Sequence, residues 1–480
     1  MTWETVIGIE THVELTTASK MFCGCPVDFG APPNTNVCPV CLGLPGALPV
    51  VNGRAVEYAM TIGLALNCSI APHSVFARKN YFYPDMPKNY QISQYDEPLC
   101  VAGHLDVDTD GEVARIGITR VHMEEDTGKS THVGDGGRIQ AASHSLLDFN
   151  RAGVPLMEIV SEPDLRSPEQ ARAFVAELRG VILRLGVSDA KLEEGSMRFD
   201  ANVSLRPSGS TEFGTKVEVK NMNSLRSLQR ALEHEVERQQ ALLDAGEPVV
   251  QETRHWNEDA GTTSGMRSKE EAFDYRYFPE PDLVPVEVDD AWRERVAGAL
   301  PELPAQARAR YASAGLDPVA ADLVSRDPAA GTIFEEATAA GADAQTVANW
   351  LTGEVTALLR RQDLSLEQSG VTGAGLAELA EMVDDGRLSA SAAKEVLAGV
   401  VAGEGNPESI AAERDLIQVS DVSALEPVVE EVLAANPDAV AKLHEGDGKV
   451  IGFLIGQVMR ATGGKADPAA VTAILRGKSA

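Results

Sequence analysis

From Val6 to Leu15, in the run VIGIETHVEL, apolar and polar side chains alternate, and a period of two is that of a strand with one face buried. Glu10 and His12 then share its polar face. The same alternation in KLEEGSMRFDANVSLRP sets Arg198, Asp200, Asn202 and Ser204 on one strand face with Arg206 beyond them, and in TKVEVKNM it aligns Lys216, Glu218 and Lys220. Helical spacing takes over elsewhere. Ser167-Pro168-Glu169 supplies an N-cap, a first-turn proline and an early acid ahead of QARAFVAELRGVILRLGV, with Gly186 near the end. SLRSLQRALEHEVERQQALLDAG reads as a long amphipathic helix following the TKVEVKNM strand.

Strands and helices mix up to about residue 290, and beyond Ala291 helical spacing dominates, as in LAELAEMVDD and LEPVVEEVLAANP. The prolines of PELPAQARARY and the turn formers of VAGEGNP mark breaks. The pattern predicts an α+β domain over residues 1–293, a helical domain over 294–404 and a small helical tail over 405–480.

A net charge of −30 argues against broad wrapping of nucleic acid, although the C-terminal stretch is locally basic, with Lys449, Arg460, Lys465, Arg476 and Lys478 as candidate RNA contacts or a solvated helix face. No apolar run is long enough to span a bilayer and no signal peptide is legible at the N-terminus, so the expectation is a cytoplasmic protein.

Chemistry concentrates before residue 300. Glu124, Glu125 and Asp126 crowd three carboxylates, which repel unless a cation or proton intervenes, and with Glu10 and His12 they point to Mg2+ or acid–base work. A solvated strand edge would account for either segment alone. Cys23, Cys25, Cys38 and Cys41 supply four thiolates for a structural Zn2+, while Cys68 and Cys100 sit among apolar neighbours as core residues. In FARKNYFYPDMPKNYQISQYDEPL, Arg78, Lys79 and Lys88 stand among aromatic rings, a combination suited to a nucleotide or a nucleic-acid end on a structured loop, or else a plain hairpin. Two motifs fail. Gly128-Lys129-Ser130 has Met123 where a P-loop needs glycine, and Asp106-x-Asp108-x-Asp110-Gly111 has Gly117 where a calcium loop needs glutamate.

The runs IGIETHVEL, CPVCLGLPGALPVVN, RKNYFYPDMPKNYQISQYD, HMEEDTGKSTH, PLMEIVSEPD, EEGSMRFDANVSLRP, TKVEVKNMNS and RHWNEDAGTTSGMRSKEEAFDYRYFPEPDLVPV resemble the GatB family, the B subunits of aspartyl/glutamyl-tRNA amidotransferases. The resemblance extends more loosely to GFLIGQVMRATGGKADP. It implies a catalytic cradle with an antiparallel, glutamine synthetase-like sheet, then a helical domain and a small tRNA-binding tail. It also implies a glutamine-hydrolysing carbon–nitrogen ligase that uses ATP and Mg2+. ATP would phosphorylate the side-chain carboxylate of Glu misacylated on tRNA-Gln, or Asp on tRNA-Asn, and ammonia would displace the phosphate.

The ammonia would be channelled from a partner amidase, the A subunit, with a small C subunit completing a heterotrimer. Carried over by position, Glu10, His12, Glu124 and Glu125 match the family's catalytic metal site, and Lys79 and Lys88 match polar residues near its ammonia route. Arg198, Asp200 and Arg206 are added from strand periodicity as substrate contacts. The four-cysteine zinc site varies within the family, and all four cysteines stand here. The rival readings are a noncatalytic tRNA-binding scaffold and a ligase acting on a free small molecule. Which misacylated tRNA is used depends on the accompanying synthetases.

Overall fold

The computed structural model describes residues 2–109, 111–134, 142–266, 275–418, 422–444, 449–463 and 465–479. Residues 267–274 of the run RHWNEDAGTTSGMRSKEEAFDYRYFPEPDLVPV, and Asp110 of the failed calcium loop, lie outside them. The chain divides into two units, residues 1–304 and 305–480.

In the first unit the alternation of the N-terminal run makes β1 (Trp3–Glu14), which buries Ile7, Ile9, Thr11 and Val13 and leaves Glu10, His12 and Glu14 on the other face. Eight further strands join it: β2 (Ser69–Ile70), β3 (Cys100–Thr109), β4 (Glu112–Glu125), β5 (Pro155–Ser161), β6 (Met197–Pro207), β7 (Val217–Lys220), β8 (Thr253–Asn257) and β9 (Thr262–Gly265). Their order is β9-β8-β7-β6-β1-β5-β4-β3-β2, antiparallel except for the parallel pair β7–β8. β1 is central.

Three helices join the apolar face of this sheet in one core: α1 (Gly53–Ala65), α2 (Pro168–Leu185) and α3 (Leu225–Asp244). Phe174, Leu178 and Ile182 of α2 and Leu228 and Leu232 of α3 are buried with Ile7, Ile9 and Phe199 of the strands. Both expected helices form where their caps stand: the Ser167 hydroxyl accepts from the Gln170 N–H at 3.2 Å, and Gly186 closes α2 in the left-handed region at φ 66°. Ser167→Ala is expected to lower the stability of this unit by about 1 kcal/mol, read as a small downward shift of its urea midpoint at unchanged slope.

An irregularity decides what faces the cleft. Before it the even-numbered Ile116 and Ile118 of β4 join the apolar core; after the register shift opposite Val160–Ser161 the odd-numbered Val121 and Met123 do. His122 and Glu124 are thereby turned onto the polar face with His12.

The segment FARKNYFYPDMPKNYQISQYDEPL, expected as a structured loop with a plain hairpin as the alternative, closes as an antiparallel pair, Ala77–Asn80 with Tyr90–Ser93. Arg78 does not reach into a site, because Glu280 takes it bidentately at 2.6 and 2.8 Å and Asp282 takes its remaining edge at 3.0 Å. Lys129–Gly134 is a strand, so the Gly128-Lys129-Ser130 run opens no helix, in keeping with rejection of the P-loop.

The expected boundary at residue 293 falls inside helix α4 (Asp290–Gly298), whose Val296 belongs to the first core and whose Trp292 indole donates to Glu57 at 3.3 Å. The composition shift marks helix content, whereas packing keeps α4 with the sheet. In the second unit the described elements are helices around two apolar clusters, one drawn from Ala307 to Ala411 and one from Leu425 to Leu475. The expected boundary at 404/405 likewise precedes a helix, Pro407–Glu413, whose Ile410 and Ala411 pack with the earlier cluster. Among the described residues no helix is long and apolar enough to cross a membrane.

Candidate active site

Neighbouring strands bring distant residues into one row. His12 on β1 lies opposite Glu158 on β5, and Glu158 lies opposite His122 on β4. His12 Nε2 stands 3.7 Å from Glu158 Oε2, and His122 Nε2 lies 3.2 Å from Glu158 Oε2 and 3.3 Å from Glu124 Oε1. One ligand atom each from His12, Glu124 and Glu158 lies within 4.8 Å of the others. The hairpin beside β4 fixes Glu124: the Ser93 hydroxyl donates at 2.7 Å, the Gln91 amide at 3.0 Å, and Lys79 Nζ stands 3.9 Å away.

Charge in this pocket is strongly coupled. Burial alone would lift the Glu124 carboxyl, but the Lys79 ammonium and the two histidines pull it well below the usual carboxylate range. Burial likewise opposes a charged His122, yet the hydrogen bonds and charges of Glu124 and Glu158 raise it to about 9. His122 Nδ1 is buried without a hydrogen-bond partner. The donor set, two carboxylates and an imidazole, fits a hard divalent cation.

The expected four-residue set does not gather at one point. Glu10 sits on the same face but outside the cluster, opposite Asp200, and accepts from the Asn202 amide at 3.1 Å. Burial, with Glu158, Glu218 and Asp200 nearby, pushes its carboxyl up against the opposing Lys220 charge. Lys220 bridges Asp200 at 2.6 Å and Glu218 at 2.9 Å. Glu125, one residue past Glu124 on an extended strand, turns away; its carboxylate accepts from the buried Lys88 ammonium and from the Ile92 N–H at 2.9 Å.

A cleft of about 400 Å³ is lined by His12, Lys79, Glu124, Asp126, Arg198 and Asp200. Arg198 holds Asp126 at 2.6 Å. Burial and the hydrogen bond and charge of Asp126 push Glu14 up to about 8, while against its own burial the charges of Arg198 and Arg151 hold Asp126 below the usual carboxylate range. A second cavity of about 270 Å³ is lined by Glu10, Asn202, Ser204, Lys216, Phe213 and Val160. Arg206 lines neither cavity and pairs with Glu4 near the start of β1.

Glu158, His122, Gln91 and Ser93 escape the sequence reading. A signal for Glu158 exists: it is the one charged residue in the strand PLMEIVS, and a buried strand tolerates an acid only with a partner.

The cysteine loop forms a separate centre in which sulfur atoms of Cys23, Cys25, Cys38 and Cys41 lie within 4.8 Å of one another. The Cys38 N–H donates to Cys41 Sγ at 3.1 Å. A hydrogen bond from Cys23 is the main reason the Cys41 thiol is lowered to about 5, against burial, while burial first of all raises Cys25 to about 11. Four converging soft donors fit a tetrahedral Zn2+. Cys68 and Cys100 stand apart in the core, and burial raises both.

The chain matches two family models, the GatB/GatE catalytic domain over residues 5–294 and the GatB domain over residues 332–478. It is 53% identical over 487 residues to the B subunit of the aspartyl/glutamyl-tRNA(Asn/Gln) amidotransferase of Nocardioides sp., covering 100% of this chain and 97% of the relative. The protein of the same name from Moorella thermoacetica is 54% identical over 478 residues, covering 99% of each chain. That from Thermobifida fusca is 53% identical over 476 residues, covering 97% of this chain and 92% of the relative.

Proposed function

The chain belongs to the GatB family, and from that premise we propose that it is the component of a tRNA-dependent amidotransferase that activates the misacylated amino acid with ATP and completes its amidation. The observation that carries this reading is the convergence of His12, Glu124 and Glu158 on the polar face of the sheet. Those three residues would hold Mg2+, with Glu10 in the adjoining row; the ion, when bound, supplies positive charge against phosphoryl oxygens. The 270 Å³ cavity, with Phe213 at its wall and Lys216 at its lining, suits a nucleoside whose phosphates extend toward Glu10 and the cluster. The 400 Å³ cleft suits the aminoacyl end, with Lys79 and Arg198 offering positive charge to the side-chain carboxylate.

A carboxylate cannot be displaced by ammonia directly, because its leaving group would be oxide. Attack of a carboxylate oxygen on the terminal phosphorus of ATP releases ADP and leaves an acyl phosphate; ammonia then adds at the carbonyl carbon, phosphate departs, and a proton is lost to give the amide. Water must be kept out of this step, and Glu124, Lys79 and His122 are largely buried around it. By the family resemblance Lys79 and Lys88 border the ammonia route from a partner amidase, the A subunit, and a small C subunit completes the heterotrimer. In this reading the sheet unit is the catalytic cradle, the helices from Leu425 to Leu475 are the tRNA-holding tail, the four cysteines hold Zn2+, and the protein works in the cytoplasm.

The test is transamidation by the purified complex with Mg2+, ATP, glutamine and each misacylated tRNA in turn. Amide formation that requires ATP, Mg2+ and this chain supports the reading. Amide formation without this chain's cluster, as with a His12→Ala/Glu124→Gln variant at full rate, reduces it to a scaffold.

A further inference from the structure

Lys20 is fully buried, at 0% exposure, in the stretch that leads from β1 into the cysteine loop. Its backbone N–H donates to the Cys25 carbonyl at 2.9 Å, and the next residue's N–H donates to the Gly153 carbonyl at 2.7 Å. The side chain then runs past Gly153 beside Cys41. A Cβ on Gly153 would stand 3.4 Å from Lys20 Cδ and 3.5 Å from Cys41 Cβ, and its φ of +89° further favours glycine there. The ammonium donates to the Phe149 carbonyl at 3.3 Å. Among the described residues no carboxylate lies within ion-pair distance of it; Glu125, whose Oε2 would stand 3.8 Å from the same Cβ, is taken by Lys88.

A buried ammonium with one long acceptor is costly unless an anion compensates it. Four thiolates around a divalent ion form a dianion, which has the same difficulty with the opposite sign. We propose that Lys20 is the buried counter-cation of the Cys23–Cys25–Cys38–Cys41 metal centre, so that bound zinc and the lysine stabilise each other. The inference rests on the reading that these cysteines bind metal. It assigns a place in the centre to a residue outside the four ligands, as groups around the ligands commonly tune metal affinity.

The test compares the full-length wild-type chain with Lys20→Met, a neutral side chain of similar length, each zinc-loaded and each stripped by a chelator. Competition against a chromophoric chelator is expected to show zinc affinity about tenfold weaker in the variant. Thermal melts are expected to diverge on loading: the variant falls well below wild type when loaded and comes close to it when stripped, because only the loaded centre sets two negative charges opposite Lys20. Equal affinity within about twofold, or the same loss of Tm with and without zinc, would overturn the proposal and leave Lys20 a packing residue. A wild-type chain that takes up no zinc at its four cysteines would overturn the metal reading itself, and the proposal with it.

Discussion

Glu124→Gln is expected to lower ATP-dependent transamidation by at least ~1000-fold, equivalent to about 4 kcal/mol of transition-state stabilisation, while the Kd for tRNA stays within about twofold. The substitution keeps the volume and removes the charge. Glu124 is buried between Ser93, Gln91, Lys79 and His122, and its ionised form is the one that these four groups favour. Without that charge the cluster loses a hard anionic donor, and the Lys79 and His122 cations lose the counter-ion that holds them in place. Steady-state assays in ammonium and in glutamine should fall together, because the lost step precedes amidation. A fall confined to glutamine-driven turnover would instead put Glu124 on the ammonia route.

Lys88→Met is expected to destabilise the first unit by about 3–5 kcal/mol, and Lys88→Met combined with Glu125→Leu to recover most of that loss. The Lys88 and Glu125 side chains are 6% and 3% exposed, so removing one partner leaves an uncompensated charge in the interior. Its remaining donor, the Ile92 N–H, cannot replace an ammonium. With the fourth tryptophan removed by Trp350→Phe, urea unfolding followed by the fluorescence of Trp3, Trp256 and Trp292 reads this unit, and the signature is a large coupling energy between the two sites. Simple additivity would mean that the pair is screened by solvent and only loosely held.

Much of the sheet is legible in the strand period. Alternation in VIGIETHVEL and RFDANVSLRP correctly sends Glu10, His12, Arg198 and Asp200 to one face, because a single register with one buried face leaves no freedom. The caps of α2 mark both of its ends for a similarly local reason. Cross-strand partnership is not local. Glu158 joins His12 only through the β1–β5 register, which no short window contains.

The acidic pair carries a different lesson. Adjacent residues on a strand face opposite ways, so Glu124 and Glu125 belong to different environments, one in the cleft and one beside Lys88. Which of them enters the cleft is decided by the irregularity in β4: a period carried forward from Ile116 and Ile118 would turn Glu124 to the core face and Glu125 to the cleft face. Arg206 shows the limit of periodicity in the other direction, since it shares the face of Asp200 yet lies far enough along β6 to pair with Glu4 and stack over the Phe213 ring, away from the cluster.

The most direct test follows the oxygen atoms. Misacylated Glu-tRNA(Gln) or Asp-tRNA(Asn) carrying 18O in its side-chain carboxylate is turned over by the assembled complex with Mg2+, ATP and glutamine, and the released phosphate is examined by mass spectrometry. Activation of the carboxylate by phosphoryl transfer predicts that one labelled oxygen per turnover passes into inorganic phosphate, and that His12→Ala and Glu124→Gln abolish the transfer. Amide formed while the phosphate stays unlabelled would contradict the account.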